Sequence, residues 1–134
     1  MNLVFDSSAL IAYLEDEPGA EVVEDLLSDR SNLCFVHSIN LCEVFYITRR
    51  QYGEQAALET HESLLGTGLS VHEDLDEEFW LSAGRIKADF ARVSLADCLC
   101  ASLAKRMGGE MVTCDRHEIE ALADAAVCKV RFIR

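Results

Sequence analysis

The chain has 134 residues, half of them hydrophobic, so it can bury a core without disulfide bonds. Its apolar runs fall far short of the roughly 20 residues that cross a membrane, and its first residues lack the basic segment of a secretion signal. With 12 basic and 24 acidic residues, the net charge of −12 is not that of a general polyanion binder. We therefore expect a single domain, residues 1–134, that avoids membranes and lies in the cytoplasm.

The first half of the chain alternates short apolar strands with amphipathic helices. The pattern predicts strands at 2–6, 33–37 and 69–72, and helices at 8–14, 20–27, 40–52 and 54–65. The segment Glu17-Pro18-Gly19 separates the first two helices, and Gly53 ends the third.

The second half continues the same alternation. It predicts helices at 75–91, 94–107 and 116–123, and strands at 110–114 and 127–133. The acidic start of the helix at 75–91 suits the positive end of a helix dipole, and we interpret it as solvated. Strands that alternate with helices indicate an α/β domain with a mostly parallel central sheet. Ligands of such sheets lie at the carboxyl ends of the strands.

Cysteine and histidine show no metal-binding spacing. The chain has no CxxC pair and no Cys/His zinc motif, and we interpret all six cysteines as reduced residues of the core: Cys34, Cys42, Cys98, Cys100, Cys114 and Cys128. The four scattered histidines are interpreted as strand-end or surface residues. The nucleotide-binding glycine loops, HExxH and GxSxG are also absent.

Four acidic residues stand at unusual places. Asp6 and Asp115 each end an apolar strand, whereas Glu43 and Asp97 lie near helix starts on faces that the pattern places inward. An unpaired buried carboxylate is costly, so something must compensate it. Each acid also has a structural explanation, namely a helix cap at Asp6 and three possible capping boxes, Asn40–Glu43, Ser94–Asp97 and Asp115–Glu118.

Together these four acids predict a metal site at the carboxyl edge of the sheet. Four carboxylates that meet there would repel one another unless a cation lay between them. Mg²⁺ or Mn²⁺ suits such a site, because both ions prefer oxygen ligands and retain water. A site of this kind activates water and stabilises charge on a phosphodiester, and needs no nucleophile from the protein.

Three segments that contain these acids resemble the PIN-domain family, and within it the VapC-like toxins of VapBC pairs. They are LVFDSSALIAYLEDEPGAEVV, SINLCEVFYITRR and VSLADCLCASLAKRMGGEMVTCDRHEIEAL, in that order along essentially the whole chain. The resemblance implies a three-layer α/β/α fold, metal-dependent cleavage of RNA as an endoribonuclease, a homodimer, and inhibition by a cognate antitoxin. It assigns the metal positions to Asp6, Glu43, Asp97 and Asp115, and supporting roles to Ser7, Ser8 and Thr113.

The chain departs from the family at two points. It is more acidic than we expect of an RNA-cutting toxin. The turn after Asp115 reads Arg-His-Glu, whereas members of the family often have an aromatic residue shortly after this position. Among the basic residues we single out Arg116 as a candidate RNA phosphate contact, because it adjoins a site acid.

Two alternatives stay open within the family: a PIN nuclease of RNA processing, and a PIN-like module that binds RNA or protein without cleavage. A phosphatase of the haloacid dehalogenase type is disfavoured, because Ser8 stands where its second aspartate would be.

Overall fold

Five strands form the central sheet in the computed structural model, which describes all 134 residues. The strands are β1 (Asn2–Phe5), β2 (Leu33–His37), β3 (Ser70–His72), β4 (Glu110–Thr113) and β5 (Lys129–Phe132). Their order across the sheet is β3-β2-β1-β4-β5, and every neighbouring pair is parallel. The predicted mostly parallel sheet is thus confirmed.

Seven helices connect the strands. They are α1 (Ser7–Leu14), α2 (Ala20–Ser28), α3 (Ser38–Tyr52), α4 (Glu54–Leu65), α5 (Glu77–Asp89), α6 (Leu95–Met107) and α7 (Arg116–Asp124). All seven predicted helices are present, but α5 is shorter than predicted at both ends. Asp76 lies at its N-cap, and Lys87 donates hydrogen bonds to the carbonyls of Ala91 and Val93 in the turn beyond it. None of the helices is both long and apolar enough to span a bilayer.

The alternating side chains of β1 divide the core into two halves. Leu3 and Phe5 pack with residues of α1–α4, whereas Val4 on the opposite face packs with residues of α5–α7. Successive residues of a strand point to opposite faces, so a sheet that is buried on both sides needs an uninterrupted apolar strand such as LVF. The result is the predicted three-layer α/β/α fold.

A buried histidine sets the start of α3. The Nδ1 atom of His37 accepts the backbone N–H of Ile39 at 3.1 Å, and its Nε2 atom donates to the carbonyl of Asp74 at 2.9 Å. His37 therefore fills the N-cap position, and α3 begins at Ser38. The Asn40–Glu43 capping box that the sequence offered is wrong, because Asn40 already lies inside the helix.

The cysteines only partly follow the prediction. All six are free thiols, and Cys34, Cys98 and Cys100 are buried. Cys114 and Cys128 are half-buried, and Cys42 is exposed. The assignment of all six to the core was therefore wrong at Cys42, which is exposed on α3.

Gly109 permits β4 to start against β1. A Cβ atom at this position would overlap the carbonyl group of Asn2, whereas a Cβ atom at Gly84 on α5 would meet nothing within 4 Å. Gly109 directly precedes β4 and Gly84 lies within α5, but only Gly109 has no room for a side chain.

We expect Gly109→Ala to lower the free energy of unfolding by about 1–3 kcal/mol, because overpacking against backbone forces β4 away from β1. Gly84→Ala is the matched control and should raise it by up to about 1 kcal/mol, since alanine favours an exposed helix interior. Urea unfolding measures both. If the urea midpoint of Gly109→Ala equalled that of the wild type, β4 would be able to move away from β1 without loss of stability.

Candidate metal centre

Asp6, at the end of β1, has two carboxylate oxygens in different environments. The side chain is almost fully buried, with 1% of the residue exposed. Its Oδ1 atom accepts the N–H of Ala9 at 2.9 Å and the hydroxyl of Ser8 at 2.7 Å, so it caps α1 as the sequence suggested. Its Oδ2 atom is buried with no hydrogen-bond partner. The helix cap therefore accounts for the position of Oδ1 but not for the burial of the unpartnered Oδ2 atom.

Ser8 and Thr113 connect the ends of β1 and β4. The Ser8 hydroxyl lies 3.2 Å from the Thr113 hydroxyl and accepts the N–H of Cys114 at 3.2 Å. The Thr113 hydroxyl in turn accepts the N–H of Asp115 at 3.1 Å. These bonds hold Asp6 and Asp115 next to each other at the carboxyl edge of the sheet.

Glu43 lies at the rim of this edge. Its Oε1 atom accepts the hydroxyl of Ser7 at 3.0 Å, and its Oε2 atom lies 3.4 Å from the hydroxyl of Tyr46. Glu43 is half-buried, and its helical neighbours Ile39 and Tyr46 are 37% and 38% exposed. The prediction that Glu43 lies on the inward face of α3 is therefore wrong. The buried face of α3 is formed by Asn40, Leu41, Val44 and Thr48.

Asn40 is a buried side chain of the site that the sequence analysis did not assign. Its Oδ1 atom accepts the N–H of Ser7, and its Nδ2 atom donates to the carbonyl of Ala96, both at 3.3 Å. It joins the starts of α1 and α6 from its place on α3. The available signal in the sequence was an asparagine at the start of a predicted helix, which the sequence analysis attributed to helix capping.

Asp97 and Asp115 both lie at helix starts. Asp97, with 9% of the residue exposed, is in the first turn of α6, where its N–H donates to the hydroxyl of the N-cap Ser94 at 3.2 Å. Asp115 is the N-cap of α7, and its Oδ1 atom accepts the N–H of Glu118 at 3.1 Å. Carboxylates near helix N-termini are favoured by the helix dipole.

Glu118 is a further acid that the sequence analysis treated only as a capping partner. One carboxylate oxygen each of Asp97, Asp115 and Glu118 lie within 4.8 Å of one another. The spacing of three residues after Asp115 was visible in the sequence. The proximity to Asp97 was not visible, since it depends on where the fold places the starts of α6 and α7.

Burial and mutual repulsion act strongly on the acids of this site. Burial, followed by the charge of Asp6, raises the pKa of Asp97 to about 7. Burial also raises the pKa of Asp6 to about 6, although the nearby hydroxyl of Thr113, the N–H of Ala9 and the hydroxyl of Ser8 oppose the increase. The ionised form of both groups is therefore costly in the protein alone.

No basic side chain offsets these charges. The arginine–carboxylate ion pairs of the protein are all elsewhere: Arg49–Glu54, Arg106–Asp74, Arg106–Asp76, Arg131–Glu110 and Arg134–Glu17. The site consists of carboxylate oxygens, one of which is buried and unpartnered. These are the donors that hard divalent cations such as Mg²⁺ and Mn²⁺ prefer.

Arg116 lies beside the site but contacts the end of the chain. Its Nε atom donates to the carbonyl of Arg134 at 2.8 Å, and its guanidinium lies 4.4 Å from the centroid of the Phe132 ring. The residue remains exposed, and none of the site carboxylates forms an ion pair with it.

We expect Asp97→Asn to stabilise the metal-free protein above about pH 7. Because the folded pKa of Asp97 exceeds that of an unfolded aspartate, about 3.9, the folded state holds more protons and loses stability as pH rises between these values. Removal of this charge should add about 1–3 kcal/mol at pH 8, with each pKa unit equal to about 1.4 kcal/mol. Urea unfolding in EDTA at low and high pH measures the difference.

Asp25→Asn is the matched control, since Asp25 is exposed on α2. It should change stability little at either pH. A pH profile of Asp97→Asn that parallels the wild type would mean that Asp97 is not the source of the dependence.

Comparison with known proteins identifies the fold and family. The model of the PIN domain matches residues 3–125. DNA-bound VapBC from Salmonella typhimurium is 19% identical and matches with a TM-score of 0.75, covering 100% of this chain and 99% of that chain. Promoter-bound VapBC2 from Rickettsia felis is 16% identical, with a TM-score of 0.76 and 98% of both chains covered.

A third structure with this fold is VapC20 from Mycobacterium tuberculosis, a toxin that cleaves the sarcin-ricin loop. It is 14% identical, with a TM-score of 0.70, and the match covers 89% of this chain and 94% of that chain. No curated protein sequence matches significantly. The family match spans most of the chain and includes all four acids that the sequence analysis selected, so the chain belongs to the PIN-domain family.

Proposed function

We propose that the chain is a metal-dependent endoribonuclease, formed by one PIN domain over residues 1–134, and the toxin of a toxin–antitoxin pair in the cytoplasm. The observation that carries the proposal is the carboxylate cluster at the edge of the sheet, whose charge no basic side chain balances. Buried charges that lack a protein partner require another source of compensation.

Asp6, Glu43, Asp97 and Asp115 would hold Mg²⁺ or Mn²⁺. A divalent ion in this position supplies an activated water and stabilises negative charge on the phosphodiester. The protein itself supplies orientation: Ser8 and the N–H of Ala9 fix Asp6, and Ser7 fixes Glu43. Thr113 positions the backbone of Asp115. Supporting bonds of this kind decide how well ligands are placed for a metal.

The toxin assignment is supported by the solved structures that share the fold. Two of them are VapBC assemblies bound to DNA, and the third is a VapC toxin that cleaves the sarcin-ricin loop. An antitoxin partner would also give a role to the excess acid and to an apolar groove of about 440 Å³ between α3 and α4, lined by Leu41, Phe45 and Leu58 among others.

We further propose a homodimer, which would cover part of the exposed apolar surface that includes Trp80 and Leu95. Light scattering of the purified chain decides this point, because a monomer has a mass of 14.9 kDa and a dimer twice that value. A monomer at micromolar concentration would overturn the dimer and leave the nuclease proposal unaffected.

We expect the purified protein to cleave structured RNA in Mg²⁺ or Mn²⁺ and to lose cleavage in EDTA. Asp97→Asn should lower the rate by more than about 100-fold, because even the outer partners of a metal site typically contribute about 10- to 100-fold. Asp25→Asn, which removes the same charge from an exposed position on α2, should cleave like the wild type.

Cleavage that persists in Asp97→Asn would exclude this site as its origin. A folded wild-type protein that binds Mn²⁺ but cuts none of a broad set of RNAs would instead favour a PIN-like module that binds without cleavage.

Arg116 is the proposed RNA contact closest to the site acids. We expect Arg116→Ala to weaken RNA binding severalfold and to reduce the salt dependence by about one phosphate contact. Arg30→Ala, at an exposed turn after α2, is the control. Because Arg116 also contacts Phe132, a melting curve must accompany the titration. Unchanged affinity and salt dependence would remove Arg116 from the interface.

A further inference from the structure

An aromatic ring and a cation follow Glu43 along the outer face of α3. Glu43, Tyr46 and Arg50 are spaced by three and four residues, so their side chains share one face of the helix. Tyr46 is 38% exposed, and Arg50 is exposed as well. The surface beside the candidate metal centre therefore offers an aromatic ring and a positive charge to a ligand.

Two contacts hold the Tyr46 ring in one orientation. Its hydroxyl donates to the Oε2 atom of Glu43 at 3.4 Å, and the guanidinium of Arg50 lies 5.0 Å from the centroid of the ring. A guanidinium at this distance is attracted to the face of an aromatic ring. Because the ring is already oriented, it loses less conformational entropy when a flat ligand stacks on it.

Arg50 carries a charge that no carboxylate of the protein neutralises. It belongs to none of the arginine–carboxylate ion pairs, whereas the neighbouring Arg49 pairs with Glu54 at 2.6 Å. In a chain with a net charge of −12, this free cation lies next to an acid of the metal edge. It is thus available to an anion from outside, such as the phosphate of a bound nucleotide.

A ring beside a guanidinium suits an unpaired nucleotide. Proteins bind single-stranded RNA by stacking its bases on aromatic rings or guanidinium planes, in grooves whose cations follow the phosphates. The helical rise separates the Cα atoms of Glu43 and Tyr46 by about 4.5 Å along the axis of α3. A base stacked on Tyr46 would therefore belong to a nucleotide next to the phosphate at the metal edge.

We propose that Tyr46 and Arg50 form a stacking site for an unpaired RNA base beside the metal centre. This inference rests on the proposed function for RNA as the ligand, but it concerns binding and is testable without cleavage. Stacking tolerates any base, because every base has a π face. The site would therefore distinguish unpaired RNA from duplex RNA and would not select one particular base.

Two other roles of Tyr46 predict different results. If its hydroxyl only orients Glu43, Tyr46→Phe would lose as much RNA affinity as Tyr46→Ala. If the ring and Arg50 only stabilise α3, both substitutions would lower the melting temperature and leave RNA binding by the folded protein unchanged. A stacking site requires the ring alone, so Tyr46→Phe should retain the binding that Tyr46→Ala loses.

The test is titration of the purified full-length protein into short single-stranded RNAs that carry the fluorescent base 2-aminopurine at successive positions. Ca²⁺, which also prefers oxygen ligands, replaces Mg²⁺ and Mn²⁺, and electrophoresis shows whether the RNA stays intact. We expect wild-type protein to quench the fluorescence at one position. Tyr46→Ala should abolish this quenching and weaken binding by about fivefold or more, whereas Tyr46→Phe should stay within about twofold of wild type.

Arg50→Ala should also weaken binding and should reduce its salt dependence by about one phosphate contact. The same helix supplies the matched controls. Tyr52 is an exposed tyrosine whose hydroxyl also contacts a glutamate, Glu15 at 2.8 Å, and Arg49 is the exposed neighbour of Arg50. Tyr52→Ala and Arg49→Ala should bind RNA like the wild type, and a melting curve of each variant shows that it is folded.

Wild-type affinity and quenching in Tyr46→Ala would overturn the inference, and so would an equal loss in Tyr46→Phe or Tyr52→Ala. A wild type that binds no RNA would overturn it as well. Cleavage in Mg²⁺ or Mn²⁺ separates this result from the proposed function. A protein that binds RNA through Tyr46 but cuts none keeps the stacking site and loses the nuclease assignment. A protein that cuts RNA but binds it equally well in Tyr46→Ala does the reverse.

Discussion

The repulsion among carboxylates at one edge of the sheet is the constraint that the rest of the structure accommodates. A parallel sheet ends all its strands at the same edge, and the helices that follow begin there. Asp6 and Asp115 reach the edge from strands, and Asp97 reaches it from a helix start. Folding therefore brings together charges that oppose folding, as the raised pKa values of Asp6 and Asp97 indicate.

Helix capping makes this arrangement compatible with a stable fold. Asp6 and Asp115 each use Oδ1 to accept a backbone N–H, at the start of α1 and α7 respectively. The remaining oxygen of each side chain is then held in a fixed direction by a bond that the helix requires anyway. Capping and metal binding are often regarded as alternative explanations of an acid, but here one carboxylate can serve both purposes.

The sequence predicted the architecture because apolar strands and amphipathic helices are local patterns. It also selected the acids at strand and helix ends, since an acid beside apolar residues is conspicuous. It did not predict the cap of α3, because His37 is held by the carbonyl of Asp74, far along the chain. Glu118 was missed for the same reason: its proximity to Asp97 arises because the fold brings the starts of α6 and α7 together, which no local pattern encodes.

A neutral amide joins the two helical layers at the site. Asn40 belongs to α3 in one layer and donates to the carbonyl of Ala96 at the start of α6 in the other. Glu43 and Asp97 therefore keep their relative positions only while both layers remain docked on the sheet. A displacement of α3 away from the sheet would therefore separate Glu43 from Asp97 without any contact with either carboxylate.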